Sequence, residues 1–121
     1  MPDRAIARSF LPLKYDVLLI LLALAGEPRH GYAIIRDVDE RTDGDVVLQS
    51  GALYRTLKRL LGDALIEETA APAGEASEDE RRRYYTLTRL GRAVVAAEIE
   101  RLARLVKDAR IAVPNRKPRL A

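Results

Sequence analysis

Apolar residues along this chain keep changing their spacing, and each change predicts a new element. Met1 to Leu11 shows little periodicity and reads as an N-terminal arm, mobile or draped over a partner. From Pro12, placed where a first helical position would be, Leu13 to Leu24 continues apolar on nearly every side, interrupted by Lys14 and Asp16 at its start. Such a helix needs cover all round, some of it expected from a second subunit through Leu18 and Leu22. Gly26 and Pro28 stop it in the usual order. Arg29-His30-Gly31-Tyr32 then opens a second helix, in which Tyr32, Ile35 and Val38 repeat at three-residue spacing beside Ile34. That spacing predicts Tyr32 in the core. His30 is expected as a cap or a hydrogen-bonded structural residue, and Thr42-Asp43-Gly44-Asp45 supplies turn chemistry.

The segment from Gln49 to Gly62 is the most informative. At 100° per residue, Leu53, Leu57, Leu60 and Leu61 form one stripe, while Tyr54, Arg55, Lys58 and Arg59 fall opposite. The outward face thus carries cations and an aromatic, with no acid. Ser50 is read as the N-cap and Gly51 as an open first turn, so a positive helix terminus adds to a positive face. That combination suits a phosphate-bearing partner; the plainer alternative is a solvated charged face.

Beyond it, Leu65 to Thr69 and Tyr84 to Thr88 are rich in strand formers, and the turn-rich stretch 70–80 makes them a hairpin with a long connection. Alternation puts Arg83, Tyr85 and Leu87 on one face and Arg82, Tyr84 and Thr86 on the other, without saying which face covers the helices. Thr88 can cap a last helix over 89–113, about 36 Å long. Val95, Ile99, Leu102, Val106, Ala109 and Val113 step by four and three along it, a coiled-coil-like seam expected to meet its counterpart in a homodimer. The alternative is a helix lying across its own domain. Pro114 ends it before a basic tail.

Composition narrows the choices. With 121 residues there is room for one small core, 48% apolar and 32% charged residues are ordinary for a globular chain, and a net charge of +3 permits an anionic partner without requiring one. The absence of cysteine removes disulfides, thiolate metal sites and cysteine nucleophiles, and a single histidine argues against a histidine-rich metal site. No carboxylate pair or glycine-rich phosphate loop stands in an apolar pattern, so no enzyme, cofactor or metal is expected. The apolar run Val17 to Ala25 is too short to cross a bilayer, which needs roughly 20 apolar residues, and the expected setting is cytoplasmic.

Three helices followed by a hairpin is the order of a winged helix-turn-helix, whose third helix enters the major groove. Here the residues also carry a resemblance. His30-Gly31-Tyr32, the run Ser50-Gly51-Ala52-Leu53-Tyr54-Arg55-Thr56-Leu57-Lys58-Arg59-Leu60, Leu65-Ile66-Glu67, and Arg82-Arg83-Tyr84-Tyr85-Thr86-Leu87-Thr88 with Gly91 beyond resemble the PadR family of bacterial transcriptional regulators. The likeness spans about residues 12 to 108. It implies a mostly α fold with a small β-hairpin and a C-terminal dimerisation helix, and repression of nearby genes that a small ligand often relieves. The chain then divides into an arm (1–11), a winged helix-turn-helix (12–88), a dimerisation helix (89–113) and a basic tail (114–121). Two departures stand out: the family commonly has threonine in place of Ala52, and short members stack flat ligands on tryptophan, which this chain lacks.

On this reading double-stranded DNA is bound by Ser50, Gly51, Ala52, Tyr54, Arg55, Lys58 and Arg59, and in the wing by Arg81, Arg82 and Arg83. Arg55 is the first choice for reading a base, Lys58 and Arg59 for phosphates. Tyr54 has two equal roles, a hydroxyl contact to phosphate or packing at the edge of the core. The wing arginines could equally pair with Glu78, Asp79 and Glu80. Leu18, Leu22, Val95, Ile99, Leu102, Val106 and Ala109 form the expected dimer interface, and a small-molecule effector stays unidentified. The competing function is a winged-helix module that binds another regulator without reading DNA.

Overall fold

The computed structural model describes residues 2–72 and 83–114. Its elements in chain order are α1 (Pro2–Arg8), α2 (Tyr15–Ala23), β1 (Arg29–His30), α3 (Gly31–Arg41), α4 (Ser50–Gly62), β2 (Ile66–Thr69), β3 (Tyr84–Leu87) and α5 (Arg89–Ala112). Helices dominate, and the one sheet is small and antiparallel.

The core forms where the apolar stripes converge. Val17, Leu19, Ile20, Leu21, Ala23 and Leu24 make α2 apolar on nearly all sides, and all are buried, which puts α2 in the middle of the protomer. Leu53, Leu57 and Leu60 of α4, Ile34 and Val38 of α3, and Val94 and Val95 of α5 close around it. Because Leu18 is also buried and Leu22 half-buried, α2 gets most of its cover from its own chain rather than from a second subunit. Two arginines finish it: Arg29 Nε donates to the Ala23 carbonyl at 2.8 Å and Arg92 Nη1 to the Ala25 carbonyl at 3.1 Å, where helix carbonyls otherwise lack partners.

Several expectations need correction. The N-terminal segment is a helix, not an irregular arm: α1 packs on α5 and buries Ala7, while Ile6 is exposed. Its one strongly apolar residue faces water, so no stripe was visible in the sequence. Helix α2 begins at Tyr15, three residues after Pro12. Tyr32 is 62% exposed, because the buried stripe of α3 runs through Gly31, Ile34 and Val38, one helical position away from the expected one. His30 does cap α3, its Nδ1 accepting from the Ala33 N–H at 3.2 Å.

The sheet order is β1-β3-β2. Pairing of β2 with β3 sets Ile66 against Leu87 and Glu68 against Tyr85, as a hairpin requires. The third strand, Arg29 and His30 against Tyr85 and Tyr84, is two residues long and below the length at which alternation can be read. It makes β3 the central strand. Tyr85 and Leu87 face the helical core, and Tyr84 is covered from the other side by the His30 ring, edge-on at 5.3 Å.

Candidate nucleic-acid interface

The outward face of α4 follows from its own sequence. Leu53, Leu57 and Leu60 hold the helix to the core, and Leu61 is half-buried beside them. That fixes its rotation, so Ser50, Gly51, Ala52, Tyr54, Arg55, Lys58 and Arg59 are all exposed. Ser50 is the first helical residue rather than the cap: Gln49 holds the N-cap position, and its side chain makes no capping hydrogen bond to the first turn. The backbone N–H groups that open α4 are therefore available to an outside acceptor. Among the described residues no carboxylate oxygen lies within 4 Å of Arg55, Lys58 or Arg59. The three charges face solvent with no ion-pair partner among the described residues.

Tyr54 packs at the edge of the core, one of its two expected roles. A Cβ placed on Gly31 would come within 2.6 Å of the Tyr54 hydroxyl oxygen and 2.9 Å of Cζ, so the ring lies across the start of α3 in space only glycine leaves open. The side chain is still 51% exposed. It is thus a packed ring with its edge in water, next to the cations of α4.

The hairpin is described at its base. Arg83 Nη1 meets Glu68 Oε1 at 3.4 Å across the strands, a pair exposed enough to contribute at most about 1 kcal/mol and to be exchanged for another anion. Arg81, Arg82 and the acids Glu78, Asp79 and Glu80 lie outside the described residues. Burial, reinforced by Glu68 and Tyr54, pushes the Tyr85 hydroxyl above the usual tyrosine range, with Arg83 pulling the other way. Tyr85 therefore stays neutral and structural under the surface.

A residue absent from the predicted site stands beside α4. Lys14 and Asp16, at the start of α2, line with Ala52, Arg55, Thr56 and Arg59 a hollow of about 360 Å³. A lone lysine opening an apolar helix is the only sequence signal it leaves.

The expected dimer residues separate into two groups. Val95 belongs to the core of its own protomer, and Leu102 is half-buried. Ile99 and Val106, by contrast, are 51% and 48% exposed, and Ala109 and Val113 are exposed too. Between α1 and α5 lies a second hollow of about 650 Å³, lined by Ala7, Leu90, Ala93, Ala96 and Ala97 together with the charged Arg4, Arg89 and Glu100. Among the described residues there is no group of three or more acidic or histidine side chains suited to a metal, and no helix long and apolar enough to cross a membrane.

Comparison with known proteins agrees with this arrangement. The model of the PadR-like family of transcriptional regulators matches residues 20–97. A transcriptional regulator from Clostridium thermocellum superposes with a TM-score of 0.66 and 25% identity, over 84% of this chain and 91% of that one. A PadR family transcription regulator from a hypervirulent Clostridium difficile superposes with a TM-score of 0.65 and 26% identity, over 84% of this chain and all of that one. An uncharacterized protein of Lysinibacillus sphaericus is 29% identical over 85 residues, 70% of this chain and 75% of its own. The chain belongs to the PadR-like family: it is a winged-helix, DNA-binding regulator of transcription and not an enzyme.

Proposed function

We propose that this regulator acts as a homodimeric repressor on a pseudo-palindromic operator. The observation that carries the reading is the exposed face of Arg55, Lys58 and Arg59 on α4, a helix with no acidic residue, whose cations have no ion-pair partner among the described residues. Arginine can donate to guanine O6 and N7 together, so Arg55 is assigned to a base edge, and Lys58 and Arg59 to flanking phosphates. Ser50, Gly51 and Ala52 bring the helix N-terminus to the backbone, and Arg81, Arg82 and Arg83 extend the contact through the wing. A winged helix-turn-helix over 12–88 and a dimerisation helix over 89–113 divide the labour.

The reading requires a dimer, because two α4 helices must sit about one turn of DNA, roughly 34–36 Å, apart. Ile99, Leu102, Val106 and Ala109 provide the surface, since an exposed apolar seam on a small domain finds cover in a second copy. In sedimentation velocity at micromolar concentration, the parent is expected as a dimer and the Ile99→Asp, Val106→Asp double variant as a folded monomer. A variant that sediments like the parent would remove the seam from the interface. The hollow between α1 and α5 falls within the 300–1,000 Å³ of small-molecule sites and suits an apolar effector, which would bind without tryptophan stacking.

DNA binding is tested by selecting sequences from a random duplex pool and titrating the winner by fluorescence anisotropy. The selected site should be two-fold symmetric, with affinity falling steeply as salt rises. Arg55→Ala with Lys58→Ala should weaken it by at least about 2 kcal/mol, some 30-fold. Unchanged affinity in that double variant would reject the assigned face.

A further inference from the structure

We propose that Lys14 is a second anchor for the duplex: a phosphate-binding residue outside α4 that grips the DNA backbone from the start of α2, over the hollow it shares with Arg55 and Arg59. The inference rests on the DNA-binding reading above and adds a contact point to it.

Three positive side chains, Lys14, Arg55 and Arg59, line one hollow together with Ala52 and Thr56, and Asp16 is the one acid on it among the described residues. Like charges gathered on a concave rim repel until an anion enters. Asp16 forms no ion pair with any of the three. Its Oδ1 accepts from the Val17 N–H at 2.8 Å, and no carboxylate lies within 4 Å of Lys14 among the described residues. Local chemistry in the hollow therefore favours an acceptor brought from outside.

Lys14 is also held in place. The N–H of Leu13 donates to the buried Glu98 of α5 at 2.7 Å, and the Lys14 carbonyl accepts from the Leu18 N–H at 3.0 Å. Backbone on both sides of the residue is thus fixed before any ligand arrives, so only the freedom of the lysine side chain itself is lost on binding. An ammonium is a compact point charge that suits a single phosphate oxygen. Because Lys14 stands beside α4 rather than on it, the contact falls on the sugar-phosphate backbone flanking the groove and carries no base information.

Anisotropy titrations of the selected duplex and of an unrelated duplex, each over a series of salt concentrations, test this. Losing one phosphate contact removes about 0.9 from the slope of log affinity against log salt, which at 0.1 M salt is roughly an eightfold loss. Lys14→Ala is expected to show that loss on both duplexes alike, Lys14→Arg to restore the slope, and Asp16→Asn to tighten binding. Lys107→Ala, which removes the same charge from the exposed end of α5, should match the parent. Lys14→Ala with the parent's affinity and slope would overturn the inference while leaving DNA binding intact. So would a loss confined to one sequence, or competition by inorganic phosphate at fixed ionic strength, which would make the hollow a free-anion site. A parent chain that binds no duplex at any salt would instead overturn the function itself.

Discussion

Gly91→Ala should lower the melting temperature by about 12 °C or more, although alanine is the better helix former. Propensity alone favours alanine by up to roughly 1 kcal/mol in a helix. The structure reverses the sign. A Cβ at position 91 would stand 2.0 Å from the Leu65 carbonyl oxygen and 3.0 Å from its carbon. Neither is the end of a flexible side chain. Leu65 O also accepts from the Thr88 N–H at 3.1 Å, while Thr88 Oγ1 donates to the Ala64 carbonyl at 2.6 Å and accepts from the Gly91 N–H at 3.0 Å. These bonds tie the start of α5 to the turn before β2, where Ala64 has a φ of 59°. Making room for a methyl means pulling α5 off that turn. Overpacking costs typically 1–3 kcal/mol and each lost hydrogen bond about 1, so a loss of about 3 kcal/mol is expected. For a domain of this size each kcal/mol moves the midpoint by roughly 4 °C. Thermal unfolding followed by circular dichroism, at fixed protomer concentration, gives the answer. A variant as stable as the parent would mean that the contact is relaxed at no cost.

That example marks the boundary of what the sequence made legible. The leucine stripe of α4 predicted both the helix and its orientation, since one buried face fixes where Arg55, Lys58 and Arg59 must point. The hairpin and the cap by Thr88 were equally readable, because each depends on residues close in sequence. What could not be read depends on partners far along the chain. Helix α1 exists because α5 receives it, and Ala7 carries no apolar pattern on its own. Strand β1 is defined by β3, more than fifty residues later. Tyr32 and Ser50 each stand a single position from where the local pattern puts them, a shift of rotation or boundary that short helices readily take. Lys14 looked like a blemish on an apolar helix, and only the folded chain sets it beside Arg55 and Arg59.

Glu98 is the hardest of these cases, and the most consequential for stability. A glutamate inside an apolar seam reads as a solvent-facing position, yet this one is 1% exposed. Its Oε2 accepts from the Leu13 N–H at 2.7 Å, and its Oε1 accepts a short hydrogen bond from Arg101 Nε one turn further on. Glu98→Ala would leave the Leu13 N–H without its acceptor and Arg101 without its partner. Removing one member of a buried pair costs about 3–5 kcal/mol. Arg101 keeps 37% of its side chain exposed and can turn to water, so a loss at the lower end, about 3 kcal/mol, is expected from urea unfolding at pH 7.

Acidity separates the charge from the packing. The Arg101 hydrogen bond chiefly, with help from the Leu13 N–H, holds the Glu98 carboxyl below the usual glutamate range against the opposing effect of burial. An unfolded glutamate titrates near about 4.3. A depressed value in the folded state means that the ionised form adds stability above that pH and that the addition is lost as pH falls through the folded value. Glu98→Gln keeps the shape and the acceptor but never carries the charge. The stability gap between parent and Glu98→Gln should therefore be widest at neutral pH and close progressively below about pH 4, a difference that cancels the titration of every other carboxylate. A gap that stays constant from pH 7 to pH 3 would show that the ion pair contributes nothing beyond its volume. A closing gap would make one buried charge the tie between α5 and the residue preceding Lys14.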